Sequence, residues 1–121
     1  MNVTKKDGCL ILRASGNEVP YEGEVSRSAF KRAIGAEVGE ICETLEGGCL
    51  VIDEEGKLKN KPILNPKATR MYKYSFITVH GALQMVDYIA GDVVYLPKEI
   101  RQRWDEEEQR LLALEDELFI A

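Results

Sequence analysis

Apolar residues in this chain gather in short runs bounded by turn residues. Cys9 to Leu12, Cys49 to Ile52 and Val93 to Leu96 are apolar throughout and too short for helices, so each reads as a strand. The first is expected over residues 8–14, ahead of turn chemistry at Ser15-Gly16-Asn17. Residues 19–23 contain Pro20 and Gly23 and read as a loop or an irregular edge strand. Ser26 is a good N-cap, and Ala29, Phe30, Ala33 and Ile34 follow at helical spacing, which predicts a short helix from Arg27 to Ile34 with Gly35 and Gly39 at its exit. Residues 40–45 alternate weakly, and Glu46-Gly47-Gly48 turns the chain into residues 49–53, the clearest hairpin signal in the sequence.

The second half repeats this vocabulary. Asp53-Glu54-Glu55-Gly56 is a turn that lacks the alternating oxygen ligands of a calcium loop. Asn65 and Pro66 suit the N-cap and first position of a helix, with Ala68, Met71 and Tyr72 on one face. Residues 75–80 are β-branched and aromatic and read as a strand; residues 81–86 give no clear signal. Pro97 stops the strand that ends at Leu96. From Lys98 to Leu118 the pattern is helical, with Ile100, Trp104, Leu111, Leu114 and Leu118 three or four residues apart, interrupted by Glu107. Its opposite face carries Arg101, Asp105, Glu108 and Glu115. A helix of that length spans about 31 Å at ~1.5 Å per residue, long for so small a domain.

These elements predict an α+β fold. An antiparallel sheet of about five strands is expected, with a short helix between the first two strands and a long C-terminal helix. Residues 1–97 would form the α+β domain, and residues 98–121 would pack on its sheet or form a dimer interface through Trp104, Leu111, Leu114 and Leu118. The helix length favours the dimer.

Composition narrows the class. With 121 residues, 45% hydrophobic and 31% charged, the chain is one ordinary globular domain rather than a disordered or fibrous one. No apolar run is long enough to cross a bilayer, and no clean apolar segment follows Lys5 and Lys6, so neither a membrane span nor a signal peptide is expected. Cys9, Cys42 and Cys49 are odd in number, apolar in context and without metal-ligand spacing; they read as buried thiols in a reducing, cytoplasmic setting.

Charge is unevenly distributed. The net charge is −5, yet residues 56–86 contain no acid and six cations: Lys57, Lys59, Lys61, Lys67, Arg70 and Lys73. From Lys98 onward four basic residues face eight acidic ones. The basic stretch is open to three uses: a solvated loop, an anion site, or pairing with the acidic helix within one chain or across a dimer. The start of the helix at Asn65 is the most site-like place, because free N–H groups there would combine with Lys67 and Arg70 to hold a phosphate. Tyr72 and Tyr74 are candidates to stack on a base, with Lys73 between them. The acidity of the whole argues against tight nonspecific DNA binding.

Catalytic chemistry has little to work with. His80 is the single histidine and lies in an apolar stretch, where a core or edge position is expected. The nucleophile-elbow, dinucleotide, phosphate-loop and zinc-protease motifs do not occur. The chain is therefore expected to be non-enzymatic, without cofactor or metal.

One family shares several of these features. Residues 35–41 (Gly-Ala-Glu-Val-Gly-Glu-Ile), Asp53 to Leu58, Pro62, Asn65, Ala68-Thr69 and residues 87–94 (Asp-Tyr-Ile-Ala-Gly-Asp-Val-Val) resemble, in that order, the domain-of-unknown-function 3846 family. Its members are small proteins often carried by bacteriophages and mobile elements, and the likeness spans roughly residues 25–96. The family has no settled activity, so the resemblance implies a setting rather than a residue role: a phage accessory protein in the host cytoplasm that counters a defence. The expectation is sequestration of an anionic small ligand, such as a nucleotide immune signal. The alternative is an acidic inhibitor of a host nucleic-acid-binding or defence protein.

Overall fold

The computed structural model describes residues 8–59 and 61–120, with side chains as far as Glu115 in the last helix. The chain is α+β. Its elements are β1 (Leu10–Leu12), β2 (Glu18–Pro20), α1 (Arg27–Ile34), β3 (Gly39–Glu43), β4 (Cys49–Asp53), a 3-10 turn (Gly56–Leu58), α2 (Pro66–Met71), β5 (Phe76–Val79), β6 (Ala82–Met85), β7 (Val93–Leu96) and α3 (Lys98–Ile120). The segment around Pro20 pairs as an edge strand, so the first helix follows the second strand instead of the first. Proline is accommodated there because an edge leaves its missing N–H unneeded.

Five strands form one antiparallel sheet in the order β2-β1-β7-β4-β3. The central strands explain their own composition. Both faces of β4 and β7 are covered, so successive residues must all be apolar rather than alternate. On one face Cys49, Val51, Val94 and Leu96 meet Phe30 of α1 and Ile100 and Trp104 of α3. On the other, Leu50, Ile52 and Val93 meet Leu12, Ala68 of α2 and Ile89. Phe30 and Trp104 touch edge to face, with centroids 5.2 Å apart. Gly48 enters this core at a point where a Cβ would lie 2.4 Å from the Leu96 carbonyl oxygen, so no larger residue fits beside β7.

Helix ends follow the caps in the sequence. Ser26 Oγ accepts a hydrogen bond from Ala29 N–H at the start of α1, and Gly35 ends it at φ 69°. The remaining strands, β5 and β6, pair only with each other. Their two-residue turn is His80-Gly81, with φ of 51° and 79°, the pattern of a type I′ hairpin. His80 is therefore an exposed turn residue and not the core or edge-strand histidine expected. Among the described residues no helix is long and apolar enough to cross a membrane.

Candidate functional site

The expected anion site lay at the start of α2, and the local fold there is as the residues dictate. Asn65 is the N-cap: its Oδ1 accepts from Ala68 N–H at 3.1 Å. The same side chain donates through Nδ2 to the carbonyls of Leu12 at 2.9 Å and Gly91 at 2.8 Å. It is fully buried. Asn65 is thus a tie between α2, β1 and the turn before β7, with neither amide N–H left to donate to an anion. Thr69 does similar work, since its Oγ1 accepts from Ile89 N–H at 2.9 Å. With only six residues, α2 offers little dipole to an anion.

The cations near it are mostly engaged. Lys67 pairs with Glu18, Lys57 with Asp87, Lys59 with Asp53 at 3.0 Å and Lys73 with Glu43 at 3.4 Å. Partners come from the sheet and its loops, not from the terminal helix. Lys61 and Arg70 form no ion pair among the described residues. The broad positive surface expected of this segment is therefore reduced to two cations, because acids distant in sequence fold back onto it. Tyr72 and Tyr74 contact each other edge-on, centroids 5.8 Å apart at 80°, while Lys73 Nζ lies 5.6 Å over the Tyr74 ring. Tyr72 is half-buried, and burial raises its hydroxyl pKa, with Cys42, Asp87 and Glu40 adding to the rise.

Beside Tyr72 is a cavity of about 200 Å³ that the sequence did not reveal, since its walls come from four separate segments. Glu40, Asp53, Glu54 and Asp87 face it against Lys57 alone, with Cys42 and Tyr88 completing the wall. Lys57 Nζ is 4.6 Å from the Tyr88 ring centre and binds Asp87, whose carboxyl is held below the usual range by that bond. The lining is acidic, the reverse of what a phosphate needs. The volume also falls short of the roughly 300 Å³ at which small-molecule pockets begin.

The thiols are shielded from solvent. Cys9, Cys42 and Cys49 are buried, and none is in a disulfide. Burial pushes the Cys42 and Cys49 thiols up to about 12, far from the thiolate a nucleophile requires.

The candidate interface residues divide in two. Trp104 is a core residue, 7% exposed, so it does not face a partner as expected; the T-shaped contact with Phe30 holds it in place. Leu111 and Leu114 are half exposed, as is Leu112 between them. Leu118 lies outside the described side chains. From Asp105 to Glu115 every side chain is exposed except half-buried Glu108, and this stretch holds five acids and one arginine. It is an acidic arm carrying leucines, rooted by Ile100, by Trp104 and by Arg101, which donates to the Gly48 carbonyl at 2.9 Å. Compared with models of protein families, with curated proteins and with solved structures, the chain matches none.

Proposed function

We propose that this chain is a non-enzymatic cytoplasmic accessory protein that acts by occupying a protein partner. In the setting its family resemblance implies, that partner is a host nucleic-acid-binding or defence protein. The observation that carries this reading is the acidic arm of α3, net −4 between Asp105 and Glu115 and exposed there but for half-buried Glu108. A rigid rod of closely spaced carboxylates offers a basic surface what a nucleic-acid backbone offers it, and buried high-pKa thiols support binding over nucleophilic chemistry.

Immobilised protein is expected to retain a basic nuclease or repressor of the host at low salt. It should release that partner at 1 M salt, where the screening length falls to about 3 Å. Asp105→Lys, Glu106→Lys, Glu107→Lys and Glu108→Lys together should abolish retention. Equal retention by wild type and the fourfold variant would remove the arm from the mechanism.

A second reading, capture of an anionic small ligand such as a nucleotide signal, is favoured by the guanidinium of exposed Arg70, which forms no ion pair among the described residues. Calorimetry with cyclic nucleotides and nicotinamide-derived signals tests it: wild type should release heat and Arg70→Ala should not. Silence of the wild type towards all of them eliminates this reading.

A further inference from the structure

Among the described residues two surfaces lack a cover, and they carry opposite character. The first is the β5–β6 hairpin. No Asp, Glu, Lys or Arg occurs between Tyr74 and Val86, yet Tyr74, Ile77, Leu83, Met85 and Val86 are each about half exposed or more. Both outer edges of the hairpin are unpaired among the described residues. Natural sheets guard open edges with lysine, proline or charge, and this hairpin has none of these. A two-stranded hairpin is also marginal without a packing surface. The chain entering it carries Arg70 and Lys73, and residues 56–86 contain no acid.

The second surface is the arm of α3, with half-exposed Leu111, Leu112 and Leu114 among five acids. Within one chain α3 and the entry to the hairpin meet only at Glu43 among the described residues, which pairs with Arg101 and with Lys73. The root of α3 packs with α1 on one face of the five-stranded sheet, whereas α2, which leads into the hairpin, packs on the other.

We propose that the arm of one copy docks on the hairpin of a second copy, and that the exchange is reciprocal about a twofold axis. Leucines of the arm cover Ile77, Leu83 and Met85, while its carboxylates approach Arg70, Lys73 being already paired with Glu43. Charge selects this pairing over its rival: two arms side by side would bring −4 against −4, but an arm on the hairpin meets neutral and basic residues. A twofold arrangement closes the assembly at two copies, and each copy contributes one arm and one hairpin. This does not rest on the partner reading and is tested on the purified chain alone; the two compete for the arm, so a host protein would bind it in place of the second copy.

Light scattering after gel filtration should give twice the 13.6 kDa chain mass for the wild type. Leu111→Ser with Leu114→Ser, and separately Leu83→Ser with Met85→Ser, should each weaken dimerisation roughly 100-fold and yield monomers. All four positions are exposed, so in dilute, monomeric protein the melting temperatures should stay near that of the wild type. Geometry is read by crosslinking single-cysteine additions, because the native thiols are buried. Leu112→Cys mixed with Leu83→Cys under mild oxidation should give the mixed disulfide between the two variants. A monomeric wild type, a dimer surviving in either double variant, or disulfides only between like variants would each overturn the proposal. If a double variant misfolds, the crosslinking of the single-site variants decides.

Discussion

Two hairpins in this chain pair alike and live in opposite surroundings. β3 and β4 join in five register pairs around Glu46-Gly47-Gly48; β5 and β6 join in four around His80-Gly81. In the first, Cys42 and Cys49 to Ile52 are buried between helical layers. In the second, Phe76 and Val79 are half-buried and every other strand residue is exposed. Backbone pairing is therefore common to both, and burial alone separates them. The hydrogen-bond ladder contributes little net stability in water, so the two hairpins should respond very differently to the same kind of truncation.

Truncation of the covered hairpin sets the upper end. Leu50 is completely buried in β4 against Leu12, Ala68 and Val93. Leu50→Ala removes that contact and leaves a cavity that rigid neighbours cannot fill. It should cost about 3–4 kcal/mol in urea unfolding. A loss below about 1 kcal/mol would mean that the layers over β4 relax freely, and the contrast with β5–β6 would lose its basis.

Asn65→Ala sharpens the comparison from between the hairpins, because Asn65 ties the layer over β4 to the start of β7. Removal leaves the carbonyls of Leu12 and Gly91 and the N–H of Ala68 without their side-chain partner in a dry site. A loss of about 2 kcal/mol is expected. The β5–β6 amides should keep their exchange rates relative to global unfolding if that hairpin folds independently of α2.

Alkaline pH reaches the covered hairpin through its two thiols. Cys42 and Cys49 have folded pKa values of about 12 against an ordinary value near 9. Above pH 9 the unfolded chain releases protons that the folded chain retains, so stability is full below pH 9 and declines progressively towards 12. The urea midpoint should be lower at pH 10 than at pH 8, and Cys42→Ala with Cys49→Ala should flatten that slope. Tyr95, raised to about 12 by burial and Glu46, adds a residual decline in the same direction. A slope unchanged by removing the thiols would refute their part in it.

How much of this could be read beforehand follows the same division. Where burial dictates the residues, the sequence is transparent. The apolar run 49–53 marks β4, Ser26 and Gly35 bound α1, and Asn65-Pro66 opens α2. The fold class and the five-stranded antiparallel sheet follow from such local signals. β6 was obscure because its turn is His-Gly rather than the asparagine- or aspartate-glycine that usually announces a type I′ turn. The site was the least legible part. Lys67 is quenched by Glu18 and Lys57 by Asp87, acids 49 and 30 residues away, and no count of charge within a segment reveals such partners. Trp104 shows the same limit, since helical spacing places it on the stripe with Leu111 and Leu114 but only the fold separates buried root from open arm.

The smallest effect is the most telling one for β5–β6. Leu83 is 70% exposed, so Leu83→Ser gives up little packing within one chain and should change unfolding stability by no more than about 0.5 kcal/mol when the protein is dilute and monomeric. At concentrations where copies associate, the same substitution should lower the melting temperature relative to wild type, because binding that favours the folded state adds to apparent stability by mass action. The diagnostic is the concentration dependence rather than the size: wild type should gain stability as protein is added, and Leu83→Ser should not. A Leu83→Ser penalty of 2 kcal/mol or more in dilute solution would show that the hairpin is already covered by its own chain, and the distinction between the two hairpins would disappear.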